Sequence, residues 1–321
     1  MHTPEYHARF LLRDLRAFAL REALPVGDAP VLLAVSGGLD STILAHLFAA
    51  VEWPFALAHV NYQLRGAASD GDETFVRELA HRFDVPVHVA RVAGKQFRST
   101  QTAARDFRYT QFADWQKRYQ YAAIATAHHA DDSVETTVGN FIRGTGIRGL
   151  RGILPHRDDL IRPLLFARRS TLEAYAKTKT IVHRTDASNA TTDYRRNRLR
   201  HEIIPALTQL NPQFAERTLT TQAHLRETEW LTDFATRTLL QQWLTPLEDG
   251  WALDLSELRR HPATRSILFA WLQPYGFGEV RITQLAQHIL SDQSGGQFAG
   301  PTHTVRVKGR KAWLRERLDS M

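Results

Sequence analysis

The chain has 321 residues, 43% of them hydrophobic and 23% charged, with a formal net charge of +7 and no cysteine. That length suits about two domains with proper cores, and the composition excludes disulfides, cysteine-held zinc or iron–sulfur clusters and a thiol nucleophile. No apolar run is long enough to span a bilayer and the N-terminus lacks an apolar secretion segment, so the expectation is a cytoplasmic protein, not membrane-bound, with a polyanionic partner.

Residues 5–24 carry Phe10, Leu11, Leu15 and Phe18 at helical spacing, and Pro25 is expected to stop the helix. Val31-Leu32-Leu33-Ala34-Val35 reads as a buried strand that turns through Ser36-Gly37-Gly38 into an apolar-periodic helix from Thr42 to Ala50. A second strand, Phe55 to Val60, runs into Asn61-Tyr62-Gln63-Leu64-Arg65-Gly66. A helix from about Asp70 to Phe83 leads to the strand Val85 to Ala90, and a polar loop at 94–101 to a charged helix from about Thr102 to Tyr119. Ala122 to Ala127 is a further strand, with a helix from Asp131 onward. Strand and helix alternate at lengths typical of a parallel sheet covered on both faces. Right-handed crossovers then bring every strand C-terminus to one edge, so His59, Asn61, Arg65, His128, His129, Asp131 and Asp132 gather around the loop at 36–41.

Glycine is dense from Arg143 to Gly152, with Arg143, Arg148 and Arg151 suited to a phosphate-rich ligand. A helix is expected from about Ser170 to Lys177. Residues 183–200 pass from an Asx- and Ser-rich turn into four arginines within six positions, and Arg196 and Arg200 share a helix face. Such a cluster faces either acids or a polyanion. Pro205 and Asn211-Pro212 mark a boundary, giving domains over 1–210 and 211–321. Beyond it come a helix from about Phe214 to Leu244, broken by Pro246 and Gly250, then shorter helices over 255–273 and 279–291, a loop over 291–300 and a basic hairpin over 304–315. The second domain has no convergent acid/base set and reads either as a recognition or spacing module or as a plain packing domain.

The Ser-Gly-Gly turn sets successive amides, two hydroxyls (Ser36 and Ser41) and a helix N-terminus around one concavity, which suits phosphate. The sequence has neither the loop lysine of Gly-x-x-x-x-Gly-Lys-Ser/Thr nor the Gly-x-Gly-x-x-Gly fingerprint. Asp40 inside the loop, with Asp132 and Glu135 on one helix face nearby, is repulsive beside phosphate unless magnesium lies between them. For Asp131 and Asp132, helix capping is the competing role. His128 and His129 suit phosphoryl contact or proton transfer better than zinc, for which no third ligand is suitably spaced. Arg105 and Arg108, three apart, could neutralise a leaving diphosphate or form a salt-bridged helix surface. The residues thus describe an ATP-magnesium site next to strongly basic surfaces. Attack at the α-phosphate fits better than kinase chemistry.

With those motifs in view, the chain resembles the tRNA(Ile)-lysidine synthases, a family of the N-type ATP pyrophosphatase (PP-loop) group. Ser36-Gly37-Gly38-Leu39-Asp40-Ser41 resembles the group signature. More specific are His59 to Arg65, Ala104 to Tyr109, Thr126 to Thr136, Arg143 to Gly146 with Gly149-Leu150, Arg162 to Leu165, Asp186 to Asn189 and Tyr194 to Arg200. The resemblance implies an α/β fold: a parallel-sheet, adenine nucleotide α-hydrolase-like domain, then a smaller, mainly helical domain with a short C-terminal β element. It implies ATP-dependent ligation of free L-lysine to C2 of the wobble cytidine of tRNA(Ile) with a CAU anticodon, through a C2-O-adenylated intermediate. The alternative is another PP-loop enzyme that adenylates a tRNA pyrimidine.

On the family's pattern, Ser36, Gly37, Gly38, Asp40, Ser41, His59, Asn61, Arg105, His129 and Arg143 bind ATP, and Asp40 and Asp132 hold Mg2+. Asp40, His128, Asp132, Glu135 and Arg108 form the reacting region, and Arg65, Arg148, Arg151, Arg196 and Arg200 contact tRNA. A homodimer is compatible with this reading. Many members have an acid where Thr102 stands, which bears on lysine or loop contacts here. Many also carry a further domain that grips the acceptor stem. The sequence given, ending at residue 321, is then either a short form or lacks that domain, and positive patches at 143–151, 195–200 and 306–315 are left to hold the tRNA.

Overall fold

The computed structural model describes residues 3–92, 101–184, 194–293 and 295–317; the side chains of residues 101, 194 and 195 are not described. The chain forms two compact units, Met1–Leu225 and Arg226–Met321.

The first unit is built on a sheet of order β3-β2-β1-β4-β6-β5, where β1 is Val31–Ala34, β2 Phe55–Asn61, β3 Val87–Arg91, β4 Ile124–Ala125, β5 His156–Arg157 and β6 Leu160–Ile161. All neighbouring pairs are parallel except the β5–β6 hairpin. Side chains alternate across each strand, so Val31 and Leu33 join one core and Leu32 and Ala34 the other. The first core is filled from α2 (Leu11–Arg21), α3 (Leu39–Ala50), α4 (Ala67–Phe83) and α8 (Arg169–Thr178), and the second from α5 (Gln101–Tyr119). Both faces of β1 and β2 are therefore dry, as the continuous apolar runs require. The chain leaves β1 toward β2 and β3 and later returns to its other side at β4, placing the strand-order reversal beside the Ser-Gly-Gly turn.

The leading helix differs from expectation. It is two helices, α1 (Pro4–Arg9) and α2, joined at Phe10, whose φ of −105° and ψ of 3° leave the helical region. The break lets α1 pack against α8 while α2 turns Leu11, Leu15 and Phe18 inward. The helix also ends at Arg21, before Pro25, because the chain reverses at Ala23 with φ of +48°.

After α6 (Ala130–Arg143), α7 (Ile147–Leu150), α9 (Tyr194–Arg198) and α10 (Ile204–Leu210) comes α11, Phe214–Trp243, within which the division between units falls. The second unit holds α12 (Thr264–Leu272), α13 (Glu279–Leu290) and an antiparallel sheet of order β7-β8-β11-β10-β9. Its strands are Leu244–Leu247, Gly250–Asp254, Gly296–Ala299, His303–Lys308 and Lys311–Glu316, β7 to β11 in chain order. The expected hairpin is β10–β11, but the sheet around it is larger than the sequence suggested. Pro246 lies in edge strand β7, where a missing N–H is tolerated, and Gly250 opens β8. The two breakers thus belong to a hairpin, and the expected loop over 291–300 contains β9.

Candidate active site

The turn after β1 is internally braced. The Ser36 amide donates to Ser41 Oγ at 3.2 Å, the Gly38 amide to Ser36 Oγ at 3.3 Å and Ser41 Oγ to the Gly38 carbonyl at 3.1 Å. Gly37 sits at φ +90°, which strains any side-chain-bearing residue, and its carbonyl accepts from Thr42 Oγ1 at 3.1 Å and from the Arg184 amide at 3.0 Å. Gly38 caps α3 without a side-chain hydrogen bond, so the first-turn amides remain available to an anion.

This loop borders a cleft of about 1530 Å³ at the sheet edge. His59 is buried there, and its Nδ1 lies 2.8 Å from the Val35 carbonyl. Burial holds the imidazole below its usual pKa; a carbonyl can only accept, so Nδ1 carries the proton and Nε2 is the acceptor. Asn61 also lines the cleft, but its amide is spent on Asp70 and Glu73, each at 3.0 Å, and its oxygen on the Gln63 amide at 2.9 Å. Glu73, 2% exposed, is held at about pKa 2 first by the Arg91 hydrogen bonds, with Asn61 and Arg77 assisting against burial.

These shifts set a pH dependence. Glu73 contributes stability above its unfolded value of 4.5 that is lost as pH falls toward about 2. His59 and His128, both depressed by burial, contribute stability above 6.5 that is lost on acidification through their folded values. Thermal midpoints should therefore fall in two stages, starting below pH 6.5 and steepening below 4.5. Glu73→Gln should remove much of the second stage and cost about 2 kcal/mol at neutral pH, read by denaturant unfolding.

On the opposite wall His128 lies 2.8 Å from Thr126 Oγ1. His129, 1% exposed, caps α6, and its amide donates to Asp132 Oδ2 at 3.0 Å. Its Nε2 lies 3.5 Å from Asp132 and 3.8 Å from Asp40, which joins the two acids through one ring. Desolvation raises the Asp40 pKa, with His129 and Arg169 opposing it. Asp40 Oδ1 is buried without a hydrogen-bond partner. Asp132 is different: burial works to raise its pKa, but the histidines and Arg196 outweigh it and leave the carboxyl lowered.

Arg196 and Arg200 point at acids. Arg196 donates to Asp132 Oδ1 at 2.6 Å and Glu135 Oε2 at 2.9 Å; Arg200 donates to Glu135 Oε1 at 2.6 Å and reaches Asp132 Oδ1 at 3.4 Å. Arg200 lies in a π-helical turn, Leu199–Ile203, between α9 and α10. Arg105 and Arg108 line the cleft and lie 5.0 and 5.8 Å from the centre of the Tyr109 ring.

Of the residues chosen from the sequence, Ser36, Gly38, Asp40, Ser41, His59 and Asn61 line the cleft from the loop side. Arg65, Arg105, Arg108, His128, His129, Asp132, Arg196 and Arg200 complete it. Gly37 shapes the turn, and Glu135 is buried behind the arginines. Asp131 serves structure, binding the Arg169 amide at 2.7 Å and Arg168 Nε at 2.9 Å. Arg143, Arg148 and Arg151 lie outside the cleft lining, and Arg143 hydrogen-bonds Asn140. The loop at 94–100 and Asp186 to Asn189 lie outside the described residues, as does the Arg195 side chain.

Sequence reasoning missed Arg169 and Glu173, a hydrogen-bonded i,i+4 pair on α8 that faces the cleft; α8 begins at Arg169, one residue before the expected start. It also missed Asp72, which ties Arg65 and Arg184, and Gln222. Gln222, 1% exposed, accepts from Ser133 Oγ at 2.8 Å and donates to Thr137 Oγ1 at 2.9 Å. Nothing local marks that glutamine, because its partners lie about ninety positions away. Gly152 is equally tight: its φ is +73° and a Cβ would sit 2.6 Å from Gln222 Oε1 and collide with Ser133 Oγ. Gly152→Ala should cost about 2 kcal/mol in thermal or denaturant unfolding through clash and backbone strain together.

The PP-loop domain family matches residues 13–207, and the TilS substrate binding domain family matches residues 247–316. The tRNA(Ile)-lysidine synthase of Parabacteroides distasonis is 32% identical over 95% of this chain and 70% of its own length. The chain belongs to the tRNA(Ile)-lysidine synthase family. The synthase of Porphyromonas gingivalis strain W83 is 37% identical over 89% of this chain and 63% of its own, so the chain spans under two thirds of that relative. Among solved structures, the U34-tRNA thiolase NcsA from Methanococcus maripaludis superposes with a TM-score of 0.57 over 68% of this chain and 79% of that one. At 16% identity that likeness concerns the fold. No described helix is long and apolar enough to cross a membrane.

Proposed function

We propose that this chain ligates L-lysine to C2 of the wobble cytidine of tRNA(Ile) with a CAU anticodon, consuming ATP and releasing AMP and diphosphate. The observation that carries the reading is the placement of a braced anion-binding turn and the Asp132–Glu135 carboxylate pair in and against one cleft. The amide-like C2 oxygen is a poor leaving group until it becomes a phosphate ester. Attack of that oxygen on the α-phosphorus expels diphosphate. The lysine ε-amine then attacks C2, and AMP leaves with the oxygen.

The Ser36–Ser41 turn and the first-turn amides of α3 hold phosphate, and His59 Nε2 is placed to accept a hydrogen bond from the nucleotide. Arg105 and Arg108 face the developing negative charge from α5. Asp132, with Glu135 behind it, meets a lysine ammonium as Arg196 and Arg200 shift away from the two carboxylates, and His128, kept neutral by burial, lines the same cleft as a hydrogen-bonding imidazole.

Among the described residues no group of three or more His, Asp or Glu side chains forms a ready metal cage. The donor set nevertheless fits magnesium, which needs few protein ligands beside phosphate. Asp40 offers its unpartnered buried Oδ1, and Asp132 fits once the arginines release its Oδ1. When bound there, the ion would neutralise phosphate charge next to Asp40. The tRNA falls to Arg65, Arg143, Arg148 and Arg151, to the outer edge of Arg196 and Arg200, and to the β10–β11 hairpin. On that hairpin Arg306 pairs with Trp313, and Lys308 stands opposite Lys311.

Incubation with ATP, labelled lysine and unmodified tRNA(Ile), followed by nucleoside mass analysis, should yield lysidine at the wobble position. Adenylated tRNA that takes up no lysine would instead support the alternative, another base-adenylating PP-loop enzyme. Thiolation through a cysteine persulfide has no donor in this chain, which has no cysteine.

A further inference from the structure

We infer that Arg169, positioned by Glu173, binds the leaving diphosphate and fills the place that a loop lysine occupies in other phosphate loops. Arg169 opens α8, a helix outside the Ser-Gly-Gly motif, and lines the cleft beside Asp40. Its Nε donates to Glu173 Oε1 at 3.0 Å, which fixes one edge of the guanidinium. Its Nη1 lies 3.7 Å from Asp40 Oδ2, beyond hydrogen-bond reach, so the fork faces the loop's carboxylate without being spent on it. Its backbone amide is anchored to Asp131 Oδ2 at 2.7 Å, which sets where the side chain starts.

Four of the other cleft arginines are committed to carboxylates, while Arg105 and Arg108 enter from α5 beside the Tyr109 ring. Arg65 and Arg184 are tied to Asp72, and Arg196 and Arg200 to Asp132 and Glu135. Arg169 sets its guanidinium 3.7 Å from the carboxylate of the phosphate turn itself, and a planar fork suits two phosphate oxygens at once. An anion arriving over the α3 N-terminus would meet the turn amides on one side and this fork on the other. The free donor edge also makes the residue more useful after bond breaking, when diphosphate carries more charge than it did within ATP.

The inference rests on the reading of the cleft as a triphosphate site, and the test separates the two. Inorganic diphosphate, ATP and tRNA are each titrated into the full chain, as wild type, Arg169→Ala, Arg169→Lys, Glu173→Ala and the Arg169→Ala/Glu173→Ala double variant. Arg169→Ala should lose about 10- to 100-fold in diphosphate affinity with an unchanged unfolding midpoint. Arg169→Lys should fall between, because it keeps the charge and loses the fork. Glu173→Ala should weaken diphosphate binding only while Arg169 is present, so that the double variant matches Arg169→Ala; a merely structural Glu173 would add its own loss. Unchanged diphosphate affinity in Arg169→Ala, or no diphosphate binding by the wild type, overturns the assignment. An equal loss for tRNA places Arg169 on the RNA backbone instead and also overturns it. An Arg169-dependent diphosphate site in a protein that forms no lysidine leaves this inference standing and removes the proposed reaction.

Discussion

Asp40→Asn should reduce diphosphate release by at least about 10²- to 10³-fold while tRNA binding stays near wild type. Asp40 stands in the first turn of α3, at the place where phosphate would lie, with Oδ1 buried and unpartnered. Desolvation raises its pKa, so the folded protein holds this carboxylate at a cost. The neutral amide removes that cost, and the ligand-free variant should be equally stable or up to about 1 kcal/mol more stable. Loss of activity together with retained or increased stability is the signature of a residue kept for charge, in contrast to a packing residue. A coupled diphosphate assay, filter binding of tRNA and a thermal melt read the three quantities on one preparation. Wild-type-like turnover would remove Asp40 from phosphate chemistry, and a destabilised variant would make it part of the scaffold.

The sheet and its functional edge were legible because parallel strands buried on both faces must be written as apolar runs. Val31 to Val35 and Phe55 to Val60 are such runs, and they pair in parallel with Val31 opposite Phe55 and Ala34 opposite Ala58. The turn residues were legible for a related reason, since few sequences other than Ser-Gly-Gly allow φ of +90° at Gly37 and close amide approach together. The ion-pair map was not legible. Arg196 and Arg200 read as a cluster facing acids or RNA, and only the fold identifies Asp132 and Glu135, over sixty positions away, as their partners. Gln222 shows the same limit, because a lone glutamine on a long helix gives no local sign of its tie to Ser133 and Thr137. In the second unit, β7 to β9 escaped notice because short strands bounded by Pro246, Gly250 and Gly296 carry breaker signals stronger than their alternation.

Replacing Arg196 and Arg200 together by alanine should cost stability and tRNA affinity at once, through different charges. Asp132 and Glu135 are 6% and 5% exposed, and the double variant strips both of their guanidinium partners. Breaking a buried pair from one side costs about 3–5 kcal/mol. The Arg196 side chain is 51% exposed and that of Arg200 29%, so water can reach the vacated positions, and about 2 kcal/mol in denaturant unfolding is the better expectation. On the RNA side, two cations disappear and two carboxylates lose their screen. The salt dependence of tRNA binding should therefore flatten by up to about two counterions. Adding Asp132→Asn and Glu135→Gln separates the two roles. The quadruple variant no longer buries unpaired charge and should regain most of the lost stability, while the flattened salt slope persists because the cations are still missing. Recovery of the slope as well would confine both arginines to holding the acids. An unaltered slope in the double variant would place them away from RNA from the start.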